Sequence, residues 1–193
     1  MAWTALLDAC VLYPTATRDL LLRGAERDLY QVRWSTEITE ELRRSLILDG
    51  RCNAEQARGL LGHMLQAFPE AMVSGHDPLV PAMNTDPGDR HILAAAVAAS
   101  ADVIVTDNVR HFPPVACDPF GIEVQTPDEF LSYAFDLAPG AMADVFLQQV
   151  KDFERPSFDL PRALSVLDER LPLLASRLRD HRDIRTALKR ADR

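Results

Sequence analysis

Asp86-Pro87-Gly88-Asp89-Arg90-His91 opens a run that ends at Thr106-Asp107-Asn108, and the residue types change along it in a telling order. An acidic turn comes first, then a helix start, an Ala-rich helix, an apolar strand and another carboxylate. Asp86 suits an N-cap, because its carboxylate can accept bonds from the unpaired N–H groups of a first helical turn. Pro87 suits the first helical position, where a missing N–H costs nothing. Asp89 then falls third and gains from the positive end of the helix dipole. Ile92, Leu93, Ala95, Ala96 and Ala99 make a helix of small residues that can pack closely on a sheet. Ser100-Ala101-Asp102 closes it, and Val103-Ile104-Val105 reads as a buried strand. Asp107 is then expected at the carboxyl end of that strand, where open α/β sheets place their sites.

Working outward, Trp3 to Leu7 is a short apolar run ending in Asp8, a first and central strand. Ala9 to Pro14 reads as a loop into a helix from about Thr17 to Glu26, and Val32-Arg33-Trp34 as a second strand. Ser35 or Thr36 caps the next helix. There Ile38, Leu42 and Leu46 recur at every fourth residue, with Leu48 near the same face, so the stripe is expected to be buried. Glu40 points almost directly away from that stripe, whereas Glu41 lies on its flank, about 70° from its centre. A carboxylate that reaches a cleft lies beside the buried face, so Glu41 is the candidate and Glu40 is expected in solvent.

Glu55 to Phe68 reads as an amphipathic helix with Leu60, Leu61, Met64, Leu65 and Phe68 inward. Ala71-Met72-Val73 reads as a short strand, His76-Asp77-Pro78 as part of a loop, and Ile122 to Gln125 as an edge strand. Thr126-Pro127-Asp128-Glu129 is a helix start, with Pro at the first position and Glu at the third. Pro139-Gly140 reads as a boundary, giving domains 1–138 and 139–193. Two helical segments follow, Ala143 to Phe153 and Pro161 to Ala191, broken at Arg155-Pro156 and bent at Pro172. Strands alternating with helices imply a parallel sheet with helices on both faces, followed by a helical C-terminal extension.

The chain's 193 residues, 47% of them hydrophobic, suffice for a sizeable core, yet no apolar run approaches the roughly 20 residues that span a bilayer. The N-terminus lacks a basic region followed by a long apolar segment, so no leader is expected. Cys10, Cys52 and Cys117 make neither a paired framework nor a zinc spacing, so a reducing cytoplasm is the expected location. A net charge of −8 argues against broad attraction to nucleic acid. It leaves room for a nuclease, because an acidic metal centre lowers net charge while local arginines hold phosphates. The last segment is basic: Arg177, Arg179, Arg182, Arg185, Lys189, Arg190 and Arg193.

Asp8, Glu41, Asp89 and Asp107 are candidates for one acidic cluster. Crowded carboxylates repel one another unless a cation neutralises them. Oxygen ligands suit Mg²⁺ or Mn²⁺, and such ions assist phosphodiester cleavage. The histidines do not pair with cysteines or with each other at a spacing that favours zinc.

Leu6-Leu7-Asp8, Ser35 through Glu41-Leu42, Asp86 to His91, Val105-Thr106-Asp107-Asn108 and the Thr126 to Phe130 ending together resemble PIN domains, over roughly residues 3–136. That family includes the VapC-type toxins of toxin–antitoxin pairs. The resemblance implies a doubly wound α/β fold and an endoribonuclease dependent on Mg²⁺, with Mn²⁺ as substitute. It also implies an RNA substrate (tRNA, rRNA or mRNA), a cognate antitoxin and a homodimer, with no membrane attachment. Carried over by position, Asp8 is the first metal ligand, Glu41 the second acid and Asp89 the third. For the fourth place relatives carry an acid two residues after the strand-end threonine. Here Asn108 stands there, with Asp107 one residue earlier, so either can fill it. His111 stands where relatives often have Asp.

Each residue also has a plainer reading. Asp86 is most simply a cap, Asp89 a dipole partner and Asp107 a turn former. Asp8 is harder to dismiss, since a carboxylate directly after a central apolar strand is costly without a partner. Thr106 either supports the cluster or continues the strand. Arg18, Arg43 and Arg44 either line a phosphate path or decorate helix surfaces. Two other functions compete: an RNA- or protein-binding module without nuclease activity, and an aspartate phosphotransferase of the doubly wound type, which would want a second Asp where Cys10 stands.

Overall fold

In the computed structural model, which describes residues 3–153 and 159–191, five strands form one all-parallel sheet in the order β3-β2-β1-β4-β5. Strand β1 (Thr4–Leu7) lies at its centre, between β2 (Gln31–Ser35) and β4 (Val103–Val105), while β3 (Met72–Val73) and β5 (Glu123–Gln125) form the edges. In register, Leu6 sits opposite Arg33 on one side and Ile104 on the other. The chain builds outward from β1 to β3, then returns to the far side of β1 for β4 and β5. This is a doubly wound α/β fold. The order reverses between β1 and β4, the kind of crevice in which parallel sheets place their sites.

The sequence explains why these strands are central. Ala5, Leu6, Leu7 and Val103 through Val105 are fully buried. Continuous apolar runs of this kind are what a parallel sheet covered by helices requires. Each fully buried Leu or Val side chain contributes roughly 1.5–3 kcal/mol of transfer free energy.

The chain divides into two units, one of residues 1–18 and 30–126, the other of residues 19–29 and 127–193. Helices α1 (Ala9–Leu12) and α2 (Thr15–Glu26) follow β1, and α3 (Thr36–Leu48) and α4 (Ala54–Ala67) follow β2. Helix α5 (Arg90–Ala98) precedes β4 and α6 (Pro114–Cys117) precedes β5. Ser35 caps α3, its Oγ accepting from Ile38 N–H at 3.3 Å. Asn53 and Gln56 form a capping box at α4. Trp34 of β2 is fully buried and meets Phe68 edge-on at 5.8 Å.

Several expectations are corrected. Ala9 to Leu12 is a short helix rather than a loop, because Val11 and Leu12 donate back to the Asp8 carbonyl. Leu48 is 83% exposed, since it is the last residue of α3 and lies past the packed turn. Leu65 is 42% exposed; Ala57 and Met64 supply the buried face of α4. The segment after His76 is not a plain loop but a 3-10 turn, Asp77–Ala82.

Helix α5 also starts later than expected. Asp86 Oδ1 accepts from Gly88 N–H at 3.1 Å, and Asp89 N–H donates to the Asp86 carbonyl at 2.9 Å. Asp86-Pro87-Gly88-Asp89 is therefore a turn with Pro at its second position, and Asp89 occupies the N-cap of α5 without capping it through its side chain. The helix ends at Ala98 with Ala99 as its C-cap, and the next residue, Ser100, takes a left-handed φ of 50°.

The second unit is helical after residue 126: α7 (Pro127–Leu137), α8 (Pro139–Asp152), α9 (Leu160–Asp168), α10 (Pro172–Asp180) and α11 (Arg182–Ala191). Its core includes Phe130, Leu131, Phe146, Leu164, Leu174 and Ile184. Pro161 to Ala191 is three helices rather than one bent segment. Pro172 opens α10 at its first position, where its lack of an N–H is harmless, and Arg182 starts another helix after His181 leaves helical geometry. Asp128 is only 8% exposed, and its two carboxylate oxygens accept from Leu173 and Leu174 N–H at 3.0 Å each. It caps α10 from a position 45 residues away. The expected break at Arg155-Pro156 and the basic residue Arg193 lie outside the described residues.

Candidate active site

The carboxyl ends of β1 and β4 open onto a cleft of about 510 Å³ within the first unit. Asp8, Glu41, Asp89 and Asn108 line it together with Cys10, Tyr13, Arg44, Ser45 and Asp49. Asp8 arrives there because β1 stops at Leu7 and its backbone turns into α1. Glu41 comes from the second turn of α3, the helix that follows β2. Asp89 comes from the turn that starts α5, and Asn108 follows β4.

Asp8 is 4% exposed, and burying a carboxylate requires partners. Thr106 Oγ1 donates to Asp8 Oδ2 at 2.6 Å, and the Cys10 thiol donates to the same oxygen at 3.1 Å. Thr106 is itself fully buried, and its hydroxyl accepts from Asn108 N–H at 3.0 Å. One side chain thus fixes both strand-end residues. Burial first, then the Asp8 charge, pushes the Cys10 thiol up to about 12, so it stays neutral.

Asp89 is held differently. His111 Nδ1 lies 2.6 Å from Asp89 Oδ2, a contact that places a proton between them. Asp86, Asp89 and His111 offer ligand atoms within 4.8 Å of one another. The Glu41 carboxyl is raised above its ordinary range, chiefly by burial; the nearby His91 draws it down, while the charges of Asp8 and Asp89 push it up. His91 Nε2 lies 3.4 Å from Glu41 Oε1. Asp8 and Asp89 each have Oδ2 engaged and Oδ1 without a hydrogen bond among the described residues. Oxygen donors with spare acceptor sites, crowding one another's charge, form a set that a divalent cation fits.

Asp107 is exposed and does not line the cleft; its backbone N–H donates to the Cys10 sulfur at 3.3 Å. Glu40 is paired with Arg43 through two contacts of 2.7 and 2.6 Å and lies outside the cleft lining. Arg43 is committed to that pair. Arg18 is buried and donates to the Leu12 carbonyl at 2.7 Å. Of the three arginines only Arg44 lines the cleft. Tyr13, Ser45 and Asp49 join the lining without any signal in the sequence. Tyr13 Oη donates to Asp49 Oδ2 at 2.7 Å, and the Arg51 guanidinium sits 5.8 Å from the Tyr13 ring centre. His111 was legible only through its place in the family pattern.

Residues 4–110 match the model of the PIN domain. The chain belongs to the PIN-domain family. Beyond its PIN domain, residues 127–180 match the model described as the VapC50 C-terminal domain. A protein of Mycobacterium tuberculosis (strain ATCC 25618 / H37Rv) named "Putative ribonuclease VapC50" is 40% identical over 109 residues. That match covers 56% of this chain and 64% of the relative, less than two thirds of the relative's length. No solved structure matches the chain. Among the described residues, no helix is long and apolar enough to cross a membrane.

Proposed function

We propose that this PIN-domain chain is a divalent-metal-dependent endoribonuclease acting as the toxin of a toxin–antitoxin pair. One observation carries the reading: Asp8, Glu41 and Asp89, from three separated stretches, line a single cleft at the carboxyl edge of the sheet. The likeness to a relative whose name contains "ribonuclease" supports it. Asp8 and Asp89 would hold Mg²⁺, or Mn²⁺ as a substitute, with Asn108 rather than Asp107 beside them. Such an ion makes bound water a better nucleophile and stabilises a leaving oxygen.

The chain's own groups supply the rest. Thr106 orients Asp8, and His111, through its Nδ1, orients Asp89. A carboxyl with raised proton affinity suits general acid–base work, and Glu41 is positioned in the cleft to accept a proton from the attacking water. Arg44 lines the same cleft and supplies a cation for the scissile phosphate. RNA is the substrate, an antitoxin blocks the cleft, the chain acts as a homodimer, and the cytoplasm is its site of action. Residues 1–138 form the nuclease domain and 139–193 its extension.

The test is cleavage of tRNA and ribosomal RNA by antitoxin-free protein in Mn²⁺ or Mg²⁺, with chelator and Asp8→Ala controls. Discrete cuts that need metal and Asp8 support the reading. Cutting that survives Asp8→Ala would sink it. A second reading, an RNA- or protein-binding module without cleavage, draws on the amide of Asn108 in a cleft where a fourth acid is expected. It predicts RNA affinity with no cuts and no Asp89-dependent metal binding.

A further inference from the structure

Glu37, His76 and Asp77 bring one imidazole and two carboxylates together, with their ligand atoms within 4.8 Å of one another. None of the three lines the acidic cleft. Glu37 lies in the first turn of α3, and His76 and Asp77 begin the 3-10 turn that follows β3. His76 is only 3% exposed, yet neither of its ring nitrogens has a hydrogen-bond partner among the described residues. Its Nε2 stands 3.3 Å from Glu37 Oε2, and that oxygen too is buried without a hydrogen bond. A buried histidine ordinarily satisfies at least one nitrogen, because an orphaned polar group loses its water without compensation. An imidazole aimed at a carboxylate, with a second, exposed carboxylate beside it, is the arrangement left when a shared cation is taken away.

We propose that Glu37, His76 and Asp77 form a second divalent-cation site, distinct from the acidic cleft, that takes Zn²⁺. The donor set decides the ion. An imidazole nitrogen with two carboxylates suits zinc, which binds histidine and acidic side chains with a water completing the shell. Mg²⁺ prefers oxygen donors and sheds water reluctantly, so it belongs in the cleft and not here. The ion pins the turn after β3 to the first turn of α3. Glu41 lies one helical turn farther along, on the same face as Glu37. The site therefore steadies the helix that presents Glu41, and zinc acts here as a clamp.

The experiment uses the full chain carrying Asp8→Asn and Asp89→Asn, which silence the cleft and the Asp86–Asp89–His111 group. The protein is loaded with zinc chloride and freed of excess metal; retained zinc is measured by atomic absorption and thermal unfolding by circular dichroism. One equivalent of zinc should be retained, with a raised unfolding temperature, and excess magnesium should not displace it. His76→Gln should abolish retention. Because His76 is buried and its replacement can disturb folding, Asp77→Asn, at an exposed position, provides the independent arm; it should lower retention while the circular dichroism spectrum is unchanged. Absence of zinc in the background protein would overturn the site, and so would equal retention with and without Asp77→Asn. Either result would assign the His76 nitrogens to buried water instead.

Discussion

Thr106 Oγ1 donates to Asp8 Oδ2 at 2.6 Å across the two adjacent strands where the sheet order reverses, and the same hydroxyl accepts from Asn108 N–H. A threonine at the strand end therefore sets the position of a buried carboxylate and of the loop beside it. Replacing Thr106 with Val keeps the shape and the β propensity but removes both bonds. A hydrogen bond to a charged group contributes about 1.5–3 kcal/mol, so Thr106→Val should destabilise the protein by about that much in urea unfolding. Metal-supporting groups of this kind typically matter by about 10- to 100-fold, and a loss of that order is expected in Mn²⁺ affinity measured by titration. Unchanged affinity would show that Asp8 needs no such support.

Glu41 gives a pH prediction whose sign follows from its surroundings. Burial first, and the charges of Asp8 and Asp89 as well, raise its carboxyl, with His91 opposing them. A raised folded-state value means that Glu41 contributes stability fully below its ordinary value of 4.5, and that this contribution is lost as pH rises through the raised value. In the presence of chelator, Glu41→Gln should therefore stabilise the protein near neutral pH and make no difference near pH 4. Glu41 is 45% exposed, so solvent screening keeps the expected gain under about 1 kcal/mol. With metal present the same substitution should weaken binding modestly, because a negative charge beside Asp8 and Asp89 is lost. Urea unfolding at the two pH values, with and without Mn²⁺, checks both statements.

Much of the fold could be read because its signals are local. Val103-Ile104-Val105 and Ala5-Leu6-Leu7 are apolar runs too short for helices, and both are fully buried strands. On α3 the 3.6-residue period separates Glu41, which lines the cleft, from Glu40, which is bound to Arg43. The same period misjudges Leu48, because periodicity cannot tell where the neighbouring surface ends. The start of α5 was misplaced because Asp-Pro-Gly-Asp satisfies helix-start and turn rules equally. The choice rests on whether Asp86 Oδ1 meets Gly88 N–H or a later donor. Asp107 and Asn108 are adjacent, and only the geometry after β4, fixed by the Thr106 hydroxyl, sends Asn108 toward the cleft. Tyr13 and Asp49 meet across 36 residues, and no local pattern records such a pair.

Asp128 shows the same limit in the second unit and offers a stability test. In sequence it is an ordinary acid in the first turn of α7, whereas in the structure it closes the start of α10 through Leu173 and Leu174 N–H. The N-cap of α10 itself, Leu171, contributes no side-chain bond, so Asp128 takes its place. Loss of a cap typically costs about 0.5–2 kcal/mol. Asp128→Ala should fall at the upper end, because both bonds are made by a buried charged group, while Asp128→Asn keeps one acceptor oxygen and should lose about half as much. Urea unfolding followed by helical circular dichroism measures the difference. Equal stability of the two variants would assign the effect to charge alone.

Cys10 supplies the last prediction, through a thiol that touches Asp8. Burial is the main cause of its rise from 9.0 to about 12, followed by the Asp8 charge; the Thr106 hydroxyl and Asp107 N–H work the other way. Its contribution to stability is therefore fully present below pH 9 and is lost as pH climbs toward 12. The thiolate is the reactive form, so at pH 8 such a thiol has about a thousandth of the thiolate of one at the ordinary value. Higher intrinsic nucleophilicity recovers part of that deficit, leaving alkylation slower by roughly ten- to a hundredfold. Iodoacetamide at pH 8, followed by peptide mass spectrometry, should label Cys52 before Cys10, although both are partly exposed. Asp8→Asn removes the second cause of the shift, so it should speed labelling of Cys10 while leaving Cys52 unchanged. If both cysteines accelerate together, the variant has loosened the fold; if neither does, burial alone sets the Cys10 thiol and the Asp8 charge is already neutralised by its surroundings.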